Sequence, residues 1–284
     1  MTDILLTGAS GSTGGAIATA LSETGASYRA ISRREHLELP AGGIHVRADL
    51  DDTAALASAF DGIRAAFLVT PSTEGAESQQ RRFIDAASTA GVEHIVLLSQ
   101  FAAATDSPVR FLRYHAAVEE HLASSGIAAS VLRPNLFMQG LLLFGDQLRS
   151  GVLAAPIGDA AVSAVDVRDI GAVGAAALTG EPLGTIDLTG PTALTHAAMA
   201  DALSAATRTR IRFEDVPPTE FADALRGAIP DWQVDGLVED YAHYAAGEAA
   251  RVSTDIRTVL GRDPIDFDRF AADVAAPALA ASAR

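Results

Sequence analysis

The stretch Ile4-Leu5-Leu6-Thr7-Gly8-Ala9-Ser10-Gly11-Ser12-Thr13-Gly14-Gly15 limits the fold more than any other. A short apolar run breaks into glycines, and Ala16, Ile17, Ala20 and Leu21 then recur at helical spacing. This reads as a buried strand, a tight turn and a helix start. Glycines permit the turn and let backbone N–H groups approach an anion at the positive end of the helix. The candidate cradle for a dinucleotide pyrophosphate is therefore Gly8, Ser10, Gly11, Ser12, Thr13 and Gly14, at Gly-x-x-Gly-x-x-Gly spacing.

The strand–helix alternation continues. Strands are predicted at 26–32, 43–48, 65–69, 94–99 and 128–132, and helices at 53–60, 76–90 and 109–124. Alternation of this kind specifies a doubly wound parallel sheet, with ligands at the carboxyl ends of its strands. The second strand ends in Arg33-Arg34, with Arg33 nineteen residues beyond Gly14. An acid at that place would bond the ribose 2′-hydroxyl of NAD, whereas Arg pairs with the 2′-phosphate of NADP(H), so NADP(H) is preferred over NAD(H). After the third strand, the acids Asp49, Asp51 and Asp52 are placed to cap the next helix, and Asp49 and Leu50 are equally placed to flank an adenine. The fourth strand delivers Val69, Thr70 and Pro71, as a plain turn or as a wall on the nicotinamide side. The fifth delivers Ser99, either to hold a carbonyl oxygen or to cap the next element.

Beyond Gly151 the pattern changes to short strands (162–165, 185–188, 210–216) and helices (195–207, 219–227, 231–247). The later helices carry Phe221, Trp232, Tyr241 and Tyr244. Residues 1–150 are expected to form the nucleotide-binding domain, and 151–284 a smaller α+β lobe that packs on it and exchanges elements with the sheet. The lobe's aromatic residues either close a substrate cleft or simply pack. The alanine-rich ending 275–284 is expected to fray.

Composition removes several chemistries. There is no Cys, which excludes disulfides and thiolate catalysis, and no Lys, which excludes a lysine base or Schiff base. The net charge of −15 argues against a nucleic-acid partner. The seven His are scattered without ligand spacing, so no metal is expected. No Gly-x-Ser-x-Gly elbow points to a serine hydrolase. No run approaches the ~18 apolar residues of a membrane span, and the start lacks a basic leader, so the expected location is cytoplasmic. A homodimer is the candidate assembly.

Taken in order, Gly8-Ala9-Ser10-Gly11-Ser12-Thr13-Gly14, His115-Ala116-Ala117-Val118-Glu119, Leu132-Arg133-Pro134-Asn135, Val165-Asp166-Val167-Arg168-Asp169-Ile170, Asp187-Leu188-Thr189-Gly190-Pro191 and Gly261-Arg262-Asp263-Pro264 span nearly the whole sequence. With them the chain resembles the NmrA-like family of atypical short-chain dehydrogenases/reductases, which includes quinone-reductase-like and isoflavone-reductase-like members. The resemblance implies a Rossmann-type fold, NADP(H) binding and a small C-terminal substrate lobe. It also implies two functions: hydride transfer to a small apolar quinone or carbonyl compound, or dinucleotide sensing without turnover. The Tyr-x-x-x-Lys pair of typical short-chain dehydrogenases is absent, since Val118 stands four places after Tyr114. Where isoflavone-reductase-like members carry a lysine, this chain has His115, which is either a general acid, a role its ordinary pKa near ~6.5 suits, or a helix histidine in a structural hydrogen bond. Tyr114 competes for that role, but neighbours on a helix point ~100° apart and are not expected to face one ligand equally.

Overall fold

The computed structural model describes residues 3–281. The first half of the chain runs β1 (Ile4–Leu6), α1 (Ser12–Glu23), β2 (Tyr28–Ser32), β3 (Gly43–Arg47), α2 (Thr53–Ala59), β4 (Ala65–Leu68), α3 (Ala76–Ala90), β5 (His94–Leu98), α4 (Arg110–Ser124) and β6 (Ala128–Pro134). A 3₁₀ segment, Met138–Phe144, leads into α5 (Gly145–Arg149), β7 (Val152–Ala155), β8 (Ala161–Val162), α6 (Val167–Thr179) and β9 (Gly184–Leu188). The remainder comprises β10 (Leu194–Thr195), α7 (His196–Thr207), β11 (Arg212–Asp215), α8 (Pro218–Leu225), α9 (Asp231–Ala245), α10 (Asp255–Leu260), α11 (Phe267–Phe270) and α12 (Ala276–Ala281).

Seven strands form one parallel sheet in the order β3-β2-β1-β4-β5-β6-β9. β9, from beyond residue 150, joins it beside β6. The strands are continuously apolar because both faces are covered, and successive residues divide between the two faces. Leu6, Phe67, Val96 and Leu132 pack with Ile17 and Leu21 of α1 and Ile170 and Val173 of α6. Their neighbours Leu5, Leu68, Ile95 and Leu97 pack on the other side with Leu56 of α2, Phe83 and Ile84 of α3, and Val118 and Leu122 of α4. Fully burying each such side chain contributes about 1.5–3 kcal/mol. α1 and α6 come close enough that a Cβ at Gly171 would lie 2.7 Å from the Ala16 carbonyl carbon.

The strand order reverses between β1 and β4, which opens a crevice at their carboxyl ends. Beyond residue 150 the chain adds two small sheets, β7–β11 and β8–β10, over two further apolar clusters. The strand predicted over 162–165 is only the pair Ala161–Val162. Beyond it the chain leaves the ladder, as Ser163 N donates to Ala249 O at 3.0 Å and its hydroxyl donates to Arg251 O at 2.7 Å. The expectation that 275–284 frays lies partly outside the described residues; within them Ala276–Ala281 is helical. Among the described residues no helix is long and apolar enough to cross a membrane.

Candidate functional site

The turn after β1 is built as a cradle. Gly8 has φ +65°, and its carbonyl accepts from Gly11 N at 2.8 Å. α1 crosses so close behind that a Cβ at Gly14 would lie 2.3 Å from the Gly8 oxygen. Gly11 caps α1 without any side-chain hydrogen bond, and the first turn holds no acid. Its leading N–H groups are therefore free of a side-chain partner and carry the helix's positive end. Thr7 fixes the neighbouring strand end, its hydroxyl donating to Val69 O and accepting from Val69 N, both at 2.7 Å. These features fit a dinucleotide pyrophosphate.

Two openings meet at this turn. The outer cleft, about 750 Å³, is lined by Gly8 and Ser10 and then by Ile31, Arg33, Arg34, Asp49 and Leu50. Arg33 and Arg34 are exposed, and neither has an acidic partner among the described residues. Asp49 lines this cleft, whereas the cap of α2 is Asp52, whose carboxylate accepts from Ala54 N and Ala55 N at 3.0 Å. The inner cleft, about 580 Å³, begins at Gly8, Ser10, Gly11, Ser12, Thr13 and Gly14 and continues past Val69, Thr70 and Pro71 to Ser99, Tyr114 and His115. Thr70 is held by the side-chain amide of Gln80, which donates to its hydroxyl at 2.8 Å.

Three expectations about the inner cleft need correction. Tyr114 and His115 both line it, despite being helix neighbours. Their rings lie 4.1 Å apart at 32°, so the pair turns together toward one space. Second, His115 is not poised near neutrality. Burial pushes its pKa down to about 3, so the ring is a neutral donor–acceptor, and its Nδ1 is buried without a hydrogen-bond partner. Burial likewise pushes the Tyr114 phenol up to about 12, with its hydroxyl 3.2 Å from Ser72 Oγ. Third, the Ser99 hydroxyl has its proton committed, because it donates to Glu119 Oε1. Glu119 in turn receives Arg133 through Nε at 2.9 Å and through Nη2. Ser99 therefore ties β5 to α4 and β6, and Arg133 is an ion-pair partner.

The lobe reaches the cleft through α9. Gln233, Leu237, Asp240 and Tyr244 line it, while Phe221 and Tyr241 are packed in the lobe's own core and Trp232 lies against Phe111 and Tyr114. The anticipated aromatic cluster is thus split between cleft and core. A clasp holds α9 to α4: Arg110 donates to Glu239 through Nη2 at 2.7 Å and through its backbone N at 2.8 Å, and its guanidinium stands 5.6 Å from the centre of the Trp232 ring. Hydrogen bonding to Glu239 raises the Arg110 pKa. Glu239 goes the other way: burial alone would raise its pKa, but the bonds and charge of Arg110 outweigh that and hold it low. Asp240 was missed by the sequence reading. The available signal was an acid set in the apolar helical stripe Leu237, Tyr241, Tyr244.

Comparison with known proteins gives the same picture. The family model described as the NmrA-like family matches residues 1–259. An NAD(P)H azoreductase from Xenophilus azovorans is 34% identical over 275 residues, covering 94% of this chain and 96% of its own. Quinone oxidoreductase 2 of Escherichia coli is 31% identical over 246 residues, covering 83% and 86%. A crystal structure of an NADPH-dependent quinone oxidoreductase from Escherichia coli, complexed with NADPH, superposes with a TM-score of 0.83 at 25% identity, covering 99% of this chain and all of that one. With the glycine turn, the reversal of strand order and the cleft beneath α9 all in place, this chain belongs to the NmrA-like family.

Proposed function

We propose that the chain is an NAD(P)H-dependent reductase that prefers NADPH and passes hydride to a small, largely apolar quinone or carbonyl compound. The observation that carries this reading is the open inner cleft, continuous with the glycine turn and with a lining surface that is mainly apolar. A dinucleotide sensor is free to fill the far end of this space with side chains, whereas here it is open. The azoreductase and quinone oxidoreductase relatives support the same reading.

When bound, the dihydronicotinamide supplies the hydride. The free N–H groups at the start of α1 hold the pyrophosphate, and Arg33 and Arg34 take the 2′-phosphate at the outer end. Val69, Thr70 and Pro71 form the wall beside the inner cleft. His115 offers an uncharged N–H to the acceptor, a role that a neutral imidazole fills without desolvating a charge. Phe111, Leu237 and Tyr244 exclude water from the reacting atoms. The chain's contribution is mainly positioning, which suits a quinone, whose product oxyanion is stabilised by its own ring. We place the reaction in the cytoplasm.

The test is binding of NADPH and NADH to the purified protein, followed by the loss of NADPH absorbance on adding quinones, aldehydes and ketones. NADPH oxidation above the enzyme-free rate is expected with at least one acceptor. Tight binding without oxidation across the panel would move the reading to the sensor. Replacing Arg33 and Arg34 together by Ala is expected to weaken NADPH binding about 100-fold, the scale of two lost charge-assisted contacts, and NADH binding about twofold or less. Equal losses for both nucleotides would remove the NADP preference.

A further inference from the structure

Among the described residues, one carboxyl group faces the inner cleft with no cation in hydrogen-bond or ion-pair contact. Asp240 is 4% exposed, and its two oxygens share a single donor, the side-chain amide of Gln100, at 2.9 and 3.1 Å. The neighbouring Glu239 is the one that Arg110 engages. A buried carboxylate without a cation is costly, and such surroundings favour the neutral form of the group. We propose that Asp240 is the proton donor of the reduction, held at the cleft wall by Gln100 and delivering its proton to the oxygen of the acceptor. This rests on the reductase reading and adds to it the residue that completes the chemistry.

The balance is simple. The acceptor gains a hydride from the dihydronicotinamide, and the electron pair of its C=O bond moves onto oxygen. The O–H bond of Asp240 breaks and its proton joins that oxygen. The carboxylate left behind keeps the Gln100 N–H and regains a proton from water at the cleft mouth. In this cleft the product oxyanion has little solvent around it, so protonation adds to the stabilisation that a quinone ring supplies.

The other titratable groups around Asp240 do this less well. From α4, the Tyr114 phenol is pushed up to about 12 and His115 is held neutral, its pKa down at about 3. On its own helix, burial raises both Tyr241 and Tyr244, and His196 of α7 lies one step further, 3.3 Å from the Tyr241 hydroxyl. Glu239 is bound to Arg110. Asp240 itself is pushed up to about 7, chiefly by burial; the Gln100 bond opposes this and the Glu239 charge adds to it.

The test compares wild type, Asp240→Asn and Gln100→Leu with saturating NADPH and 1,4-naphthoquinone across the pH range around neutrality. Wild-type kcat is expected to fall as pH rises through about 7, where the donor loses its proton. Asp240→Asn is expected to lower kcat about 100-fold and abolish that limb, with NADPH binding unchanged by fluorescence. Gln100→Leu removes the bond that favours the charged form, so the limb moves upward by about one pH unit. Infrared spectra of the protein without nucleotide give a readout independent of turnover. A protonated-carboxyl band is expected that fades as pH rises through about 7 and is missing in Asp240→Asn. Overturning results are an Asp240→Asn protein as active as wild type with the limb intact, a limb that stays or drops in Gln100→Leu, or a band unchanged in Asp240→Asn. A wild type inactive at every pH with 1,4-naphthoquinone and with the other quinones, aldehydes and ketones alike overturns the reductase reading and this proposal with it. An active wild type beside an equally active Asp240→Asn overturns the proposal alone.

Discussion

Gly14→Ala is expected to abolish dinucleotide binding, raising the NADPH Kd more than about 100-fold, and to destabilise the fold by about 1–3 kcal/mol. The new Cβ would lie 2.3 Å from the Gly8 oxygen, 2.4 Å from the Gly8 carbonyl carbon and 2.8 Å from Ala9 N. All three are backbone atoms, so no flexible side chain can move aside. Relief requires α1 to back away from the turn, which misdirects the N–H groups meant for the pyrophosphate. Gly11→Ala is the internal control for the fold, since its Cβ would meet only the Gly8 oxygen at 3.4 Å, an ordinary contact. Calorimetric titration and urea unfolding of both variants check this. Equal stability of the two would refute the close-crossing argument.

Glu119→Gln is expected to cost about 3 kcal/mol and to reduce turnover as well. Glu119 and Arg133 have side chains only 12% and 27% exposed, and the Glu119 carboxylate also accepts a hydrogen bond from the Ser99 hydroxyl. Removing its charge leaves Arg133 partly buried without compensation, the costly way to break an ion pair. The damage reaches the cleft because Ser99 precedes Gln100 at the end of β5, and Arg133 precedes Pro134 and Asn135 at the end of β6, all of them lining residues except Arg133. Urea unfolding at two salt concentrations measures the effect. A loss below about 1 kcal/mol, or one erased by salt, would mark the pair as an ordinary surface contact.

Much of the nucleotide half of the molecule was legible because its signals are local. The strands at 65–69 and 94–99 are short, apolar and bounded by turns, and the helix at 76–90 ends at Gly91, whose φ is +78°. The positions of Gly8, Arg33, Asp49 and Val69 along one cleft follow from strand ends in a parallel sheet. The lobe was less legible. Val152–Ala155 was missed because four apolar residues carry no distinctive period, and its pairing with Arg212–Asp215 spans some sixty positions.

The sequence by itself determined the parallel sheet, the glycine turn, the absence of lysine and thiol chemistry, and the family, since spacing and residue type encode each of these. Only the tertiary structure decided what the polar groups of the inner cleft are able to do. The pKa of an imidazole or carboxyl depends on how much water its surroundings remove and which partners they supply, and these come from distant segments. Burial silences His115 as an acid, Glu119 engages the Ser99 hydroxyl by accepting its hydrogen bond, and α9 brings Asp240 from the far end of the chain to face the cleft.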